Sequence, residues 1–486
     1  MSTSPSIRHG VLWVFMGKGG GQFISFVVGI ALARLLAPEI FGMLLTLQVL
    51  TGLAGFVAGG GMGQALIRAK DTTRADYDIV FTLQLVMGVL IYTGFYLAAP
   101  LVAQSYGNPL YADMLRVMAL SFLFRPLTNV PASILTRAMR FKDLTLVSFV
   151  ALIASSSVSI VLAWQGYGVW ALILGGFVSP LVTIPAYIAL AQWRPGLSLR
   201  VRRAREIARY GLLVSANDIV GYLRAQVGIF ILSRTLGPAS VGLYNKGESL
   251  ANMPHGFITG SVYQVLFRAL SAEQDNRDKS RYLFFRSLGL VAVYATPFYI
   301  GLLWLADPLV RGLYGDQWAN AAGPLFILIL AWPFWLMENL SGAVLAAQSW
   351  LGRELPVQIA SLAIRALAIL ALLPFGIEGV AWAIVAASAY SAFHLYWLAC
   401  RSLNAPWRGY LVAVWPATLM GALLALALGG LAQLLPASLP PLLEVALMGS
   451  VGAAVYIATF FGLPFAGLAS ERARWRAHLH RLFAKH

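Results

Sequence analysis

The chain is a succession of apolar runs long enough to cross a bilayer, with its few charges collected in the gaps between them. Hydrophobic residues make up 59% and charged residues 11%, against about 25% charged in a soluble domain. A surface this poor in charge has lipid as its solvent. A helical crossing takes about 20 apolar residues, so 486 residues with short loops accommodate about fourteen crossings. We place them at 11–36, 40–67, 78–106, 110–137, 142–165, 168–192, 207–236, 239–271, 281–306, 318–349, 353–375, 377–402, 408–436 and 441–463. No long run alternates with period two, which excludes an outer-membrane barrel. The expected fold is an all-α polytopic membrane protein. Its first apolar run carries Lys18 and is longer than a signal-peptide core, so it reads as an uncleaved span.

The net charge of +16 has a topological meaning. Of the 35 basic residues, 24 lie in alternate connections that include both termini, while the opposite connections hold Arg34, Arg234 and Arg311. The positive-inside rule then places both termini in the cytoplasm and makes the span count even. The same rule removes nucleic acid from the expected partners. The single cysteine, Cys400, excludes a disulfide framework or a cysteine metal cluster. The six histidines show no metal-binding spacing.

The chain also repeats itself. ARLLAPEIFGML (33–44) and SRTLGPASVGLY (233–244) share Arg34/Arg234, Leu36/Leu236, Pro38/Pro238 and Gly42/Gly242 at a shift of 200. GYGVWAL (166–172) echoes GIEGVAWAI (376–384) at a shift of 210. Six spans per copy is an even number, so the copies are parallel repeats about an axis along the membrane normal. The expected domains are a six-helix bundle over 1–193, an Arg-rich cytoplasmic linker over 194–206, a second bundle over 207–402, two further transmembrane helices over 403–469, and a basic cytoplasmic tail over 470–486.

Polar residues at membrane depth are the candidates for function, because each costs about 2.5–3.5 kcal/mol if it faces lipid. The basic ones are Lys18, Arg116, Arg125, Arg224, Lys246 and Arg365; the acidic ones are Asp218, Glu248 and Glu338. Asn217 and Arg224, seven apart, share a helix face, as do Gln358, Ser361 and Arg365. Arg116 and Arg125, nine apart, fall on opposite faces of a straight helix, and Arg116 lies nearer the outer interface. The repeat shift places Lys18 opposite Asp218. Lys246 and Glu248, two apart, lie on nearly opposite faces. The alternative for any one of these residues is a buried ion pair holding helices together. As a set they leave an excess of positive charge, which suits a phosphate or pyrophosphate group. Arg224, Arg365, Arg125, Lys18 and Lys246 are therefore the expected substrate-binding residues. Glu338, Glu248 and Asp218 are the expected ion-coupling residues, Glu338 before Glu248 because no basic residue lies within a helical turn of it.

Other motifs read as architecture. Gly17-Lys18-Gly19-Gly20-Gly21 lacks both the spacing and the preceding strand of a nucleotide loop, so no cofactor is expected, and uphill movement would need a proton or sodium gradient or consumption of the product outside. Gly55, Gly59 and Gly63 form a close helix-packing face. Trp164, Trp170, Trp193, Trp304, Trp318 and Trp407 read as interface anchors, and the basic tail reads as amphipathic and lipid-bound.

ARLLAPEIFG (33–42), GGGMGQALIRAKD (59–71), ILTRAMRFKDL (134–144) and GYGVWALI (166–173) resemble the Wzx-type polysaccharide flippases of the multidrug/oligosaccharidyl-lipid/polysaccharide exporter superfamily. The resemblance implies two six-helix bundles around a central cavity. It implies a flippase, not an enzyme, that moves an undecaprenyl-diphosphate-linked oligosaccharide between leaflets by alternating access. It also implies work beside membrane lipid and beside polysaccharide polymerase and export machinery. A cation-coupled drug antiporter of the same fold would want an acidic lumen. A membrane polymerase or ligase would want carboxylates on sizeable outer loops, whereas Glu39, Asp307, Asp316, Glu378 and Glu444 are scattered over short ones.

Overall fold

The computed structural model describes residues 5–59, 61–68, 72–198, 200–436 and 438–483. Eighteen α-helices follow one another among them. They are α1 (Pro5–Leu35), α2 (Pro38–Gly59), α3 (Met62–Arg68), α4 (Arg74–Tyr106), α5 (Leu110–Ala119), α6 (Ser121–Arg137), α7 (Phe141–Trp164), α8 (Val169–Ala191) and α9 (Val201–Thr235). After them come α10 (Gly237–Ala272), α11 (Arg277–Tyr314), α12 (Ala322–Ile329), α13 (Trp332–Ala347), α14 (Leu351–Leu372), α15 (Gly376–Leu403), α16 (Gly409–Leu434), α17 (Pro441–Gly462) and α18 (Ala469–Phe483).

Local chemistry sets the helix ends. Thr73 and Asp76 form a capping box at the start of α4, where the Thr73 amide donates to the Asp76 carboxylate at 2.8 Å, satisfying donors that the first turn leaves open. Gly107 closes α4 in the left-handed region at φ 65°, where glycine carries no Cβ penalty. Pro38 opens α2, a position where its missing N–H is no loss. Asn276 caps α11 by accepting from the Lys279 amide at 3.0 Å.

Nine helical stretches of the described residues are long and apolar enough to cross a membrane, ten if the bent pair Asp316–Ile329 and Trp332–Ala347 counts as one span. The sequence expectation was fourteen. The difference has two sources. Residues 352–403 form one 52-residue apolar stretch that contains both α14 and α15. Of α1, the described side chains give only the short apolar helix Gly19–Leu35, while α9 and α10 carry many polar residues.

The outward faces confirm the solvent. On α4, Leu90, Leu97 and Leu101 are exposed, Leu97 by 70%, a patch that only lipid tolerates. Two of the expected interface tryptophans are elsewhere: Trp193 is 5% and Trp318 0% exposed. Trp193 packs edge-on against Phe81, so it belongs to a core. Trp164, at 77% exposed, keeps a surface position.

The chain divides into two compact units at Gly242/Leu243, inside α10 rather than at the 194–206 linker, whose last residues already belong to α9. In the first unit α7 and α8 form a hairpin against which α1 packs, α4 lies on α5 and α6, and α9 packs on α2, α3 and α4. The first helix assigned to the second repeat thus joins the first unit. In the second unit α15 packs on α13 and α14, and α11 packs on α16 and α17.

Candidate functional site

In the first unit the glycine face of α2 is a socket for two neighbouring helices. Arg125 of α6 donates from Nη1 to the Gly55 carbonyl at 2.7 Å. A Cβ on Gly55 would stand 2.5 Å from that nitrogen, and one on Gly63, beyond the end of α2 in α3, would stand 3.0 Å from the Ser133 hydroxyl. The small-residue packing reading holds, with the added point that the helix packed there delivers a guanidinium. One turn earlier, Gly52 leaves room for Tyr222 of α9. Its hydroxyl donates to the carbonyls of Gln48 (2.8 Å) and Val49 (3.1 Å), and its ring tilts onto Phe56 at 5.3 Å. Arg224 follows two residues later and is half-buried. Arg116 turns elsewhere, over the Tyr96 ring at 4.8 Å and 3.6 Å from Asp113, so the two arginines meet different partners. Lys18 and Asp218 lie outside the residues whose side chains are described.

The same unit brings the two copies of the repeated motif together. A methyl group on Gly42 would overlap the carbonyl oxygen of Pro238, and one on Gly242 would overlap the carbonyl oxygen of Pro38. Each glycine therefore abuts the proline of the other copy, the reciprocal contact that a two-fold relation produces. Beside it, Tyr106 and Ser233 share a hydrogen bond of 3.2 Å. Arg234 donates to the Ser105 carbonyl at 3.0 Å and lies over the Tyr106 ring at 5.1 Å.

The second unit gathers the carboxylates. Tyr244 donates to Glu248 Oε1 at 3.3 Å, one turn along α10. Arg365 of α14 lies within electrostatic reach of both. Glu248 thus has a cationic neighbour; α10 and α14 are too far apart in sequence for spacing to reveal it. Lys246 turns the other way, as expected, but it is 9% exposed. It lies over the rings of Tyr314 and Trp318 at 5.0 and 5.5 Å. Its ammonium is enclosed by aromatic faces.

Glu338 of α13 accepts from the Ser391 hydroxyl at 3.1 Å and stands within electrostatic reach of His255 on α10. The His255 ring meets Trp335 and Trp332 edge-on at 6.0 and 6.4 Å. Trp335 donates to Ser388 at 3.2 Å, and Trp332 stacks on Tyr299 at 4.2 Å. The α14 stripe extends one turn beyond the expected one: Gln358 donates to Glu354 at 3.0 Å, and Ser361 is wholly buried. Sequence reasoning missed Tyr244, His255, Glu354 and Ser391. Helical spacing carried a signal for Tyr244–Glu248 and Glu354–Gln358, four residues apart in each case; nothing local connects His255 or Ser391 to Glu338.

The sequence model of a family described as "Polysaccharide biosynthesis protein" matches residues 31–323. The chain is 26% identical over 326 residues to the succinoglycan biosynthesis transport protein ExoT of Rhizobium meliloti, covering 67% of this chain and 66% of that one. It is 23% identical over 320 residues to the lipopolysaccharide biosynthesis protein WzxC of Escherichia coli, covering 65% of each. The matches thus span slightly less than two thirds of these relatives' own length. Among solved structures, the lipid II flippase MurJ in an inward closed conformation superimposes with a TM-score of 0.75, at 15% identity, over 93% of this chain and 99% of that one. An inward-facing multidrug resistance transporter of the MATE family superimposes with a TM-score of 0.64, at 18% identity, over 79% and 94%. These likenesses show the fold.

Proposed function

The chain belongs to the polysaccharide biosynthesis protein family, with the fold of the multidrug/oligosaccharidyl-lipid/polysaccharide exporter superfamily, and on that premise we propose that it is a lipid-linked oligosaccharide flippase of a bacterial inner membrane. It is a multi-pass membrane transporter of polysaccharide biosynthesis. In this reading an undecaprenyl-diphosphate-linked oligosaccharide crosses from the cytoplasmic to the periplasmic leaflet by alternating access, through fourteen crossings with both termini in the cytoplasm. Polymerase and export machinery take the product. In this reading Arg224 binds the diphosphate.

The observation that carries the reading is the reciprocal Gly42/Pro238 and Gly242/Pro38 contact. Two homologous turns closing on each other make a gate that opens by separating them, which is what alternating access between two repeats requires. The acidic cluster of the second unit favours cation coupling within the flippase. Taken alone it also favours a cation-coupled antiporter of the same fold, which is the second reading. The experiment is complementation of a flippase-deficient strain, followed by transport of defined lipid-linked sugars in proteoliposomes. Arg224→Ala and Arg224→Gln are expected to abolish complementation at normal protein level. Arg224→Lys should rescue it in part, since charge survives while the bidentate fork is lost. Full activity of both neutral variants would remove Arg224 from the site; transport of organic cations but not of lipid-linked sugars would establish the second reading.

A further inference from the structure

We propose that the second unit carries a binding site for the headgroup of an anionic glycerophospholipid, separate from the transport residues and independent of what the protein transports. A cavity of about 1030 Å³ lies between one end of α11, one end of α16 and the segment 465–470 that leads into α18. Its volume is at the upper end of the ~300–1000 Å³ of small-molecule sites. It admits a phosphoglycerol headgroup with the first part of its acyl chains.

The lining is amphipathic in the sense that a phospholipid is. Arg281, Arg286 and Arg408 stand at the polar end; Gly289, Val293 and Val412 form part of the apolar wall. The acids nearby are accounted for. Asp278 is 3.7 Å from Arg281 and itself almost fully exposed, and Glu471 is 3.3 Å from Arg286. Arg286 is further occupied by the Gly467 carbonyl and by the Ser470 hydroxyl, the latter at 2.8 Å. It therefore ties the 465–471 segment to α11. The other two arginines have capacity to spare. Arg281 donates to the Leu403 carbonyl at 3.2 Å but keeps a buried Nε–H without a hydrogen-bond partner, a state that native structures rarely leave unanswered. The Arg408 side chain makes no hydrogen bond or ion pair among the described residues. Two guanidinium groups facing one space suit the forked acceptor geometry of a phosphodiester.

The location supplies the ligand. The arginines sit at the end of α11 and α16 where the basic residues of the chain accumulate, the side expected to face the anionic cytoplasmic leaflet. The apolar wall continues into the exposed face of α16, where Leu411 and Val412 are open. A lipid can reach the cavity sideways from the bilayer without leaving it. The closing segment is anchored independently of the ligand: Arg472 donates to the Leu463 and Phe465 carbonyls, and the Trp475 indole donates to the Tyr294 hydroxyl at 2.9 Å. The bound headgroup would join α11 and α16 to the root of the basic tail.

The test uses the full chain purified in a neutral detergent, with native mass spectrometry and thermal unfolding against added dioleoylphosphatidylglycerol, dioleoylphosphatidylcholine, inorganic phosphate or undecaprenyl diphosphate. Phosphatidylglycerol is expected to bind and to raise the unfolding midpoint more than phosphatidylcholine does. The R281Q/R408Q double variant is expected to weaken phosphatidylglycerol binding by tenfold or more, about the effect of losing one charge-assisted contact. Inorganic phosphate should leave the midpoint unchanged. Val412→Trp keeps every charge and fills the apolar wall; it is expected to weaken phosphatidylglycerol binding likewise, and it serves if the double variant does not fold. Equal effects of the two glycerophospholipids, wild-type affinity in either variant, a full effect from inorganic phosphate, or a response to undecaprenyl diphosphate alone would each overturn the proposal.

Discussion

The residue-scale picture turns on pairs. Arg365 and Glu248 were expected to act separately, one on the substrate and one on the coupling ion; the structure places them within electrostatic reach of each other beside Tyr244. Removing one partner of such a pair leaves the other uncompensated, whereas removing both does not. E248Q and R365Q are therefore each expected to lower stability by about 1–3 kcal/mol, with the double variant costing less than their sum. A double-mutant cycle on the unfolding midpoint measures this; strict additivity would separate the two residues. Glu338 has a hydroxyl donor in Ser391 at 3.1 Å and His255 within electrostatic reach. E338Q is expected to remove most of the response of transport to an imposed proton or sodium gradient, and E248Q less of it. A wild-type gradient response in the E248Q/E338Q double variant would take coupling away from both.

At the scale of elements, glycine decides which helices touch. Gly52 and Gly55 let α2 receive Tyr222 and Arg125, and Gly63 lets α3 receive Ser133, so these glycines hold α9 as well as α6. Gly42 and Gly242 matter more, because each sits under a carbonyl of the opposite repeat. Gly42→Leu and Gly242→Leu are expected to force the two turns apart at a cost of about 1–3 kcal/mol to the closed arrangement. That shifts the open population about 5- to 150-fold. A cysteine placed at Ser233, in a Cys400→Ser background, should then react faster with a membrane-impermeant thiol reagent added from the periplasm. Unchanged labelling in both leucine variants would show that the contact is not a gate.

At the scale of the whole molecule, the charge asymmetry makes a prediction that no side-chain contact tests. Fusions at 194–205 and at the C-terminus are expected to be cytoplasmic, and fusions at 104–109 and 435–442 periplasmic. Alkaline phosphatase and fluorescent-protein reporters at these four positions measure it. Phosphatase activity at the linker would reverse the topology and break the parallel-repeat argument with it.

The sequence alone determined that the solvent is lipid, that the chain is helical, that 33–44 and 233–244 are copies, and that Lys246 and Glu248 point apart. All of these follow from composition and from helical periodicity, which are local. It also pointed to the glycine face of α2, because small residues every four positions have one physical use in a bilayer. Only the tertiary structure decided what occupies that face, that Gly42 and Gly242 meet the prolines of each other's copy, that Lys246 is boxed by Tyr314 and Trp318, and that Glu338 meets Ser391. Each of these joins residues far apart along the chain. In a bilayer the apolar effect does not choose helix partners, so the partners are set by shape and by where the polar groups find one another.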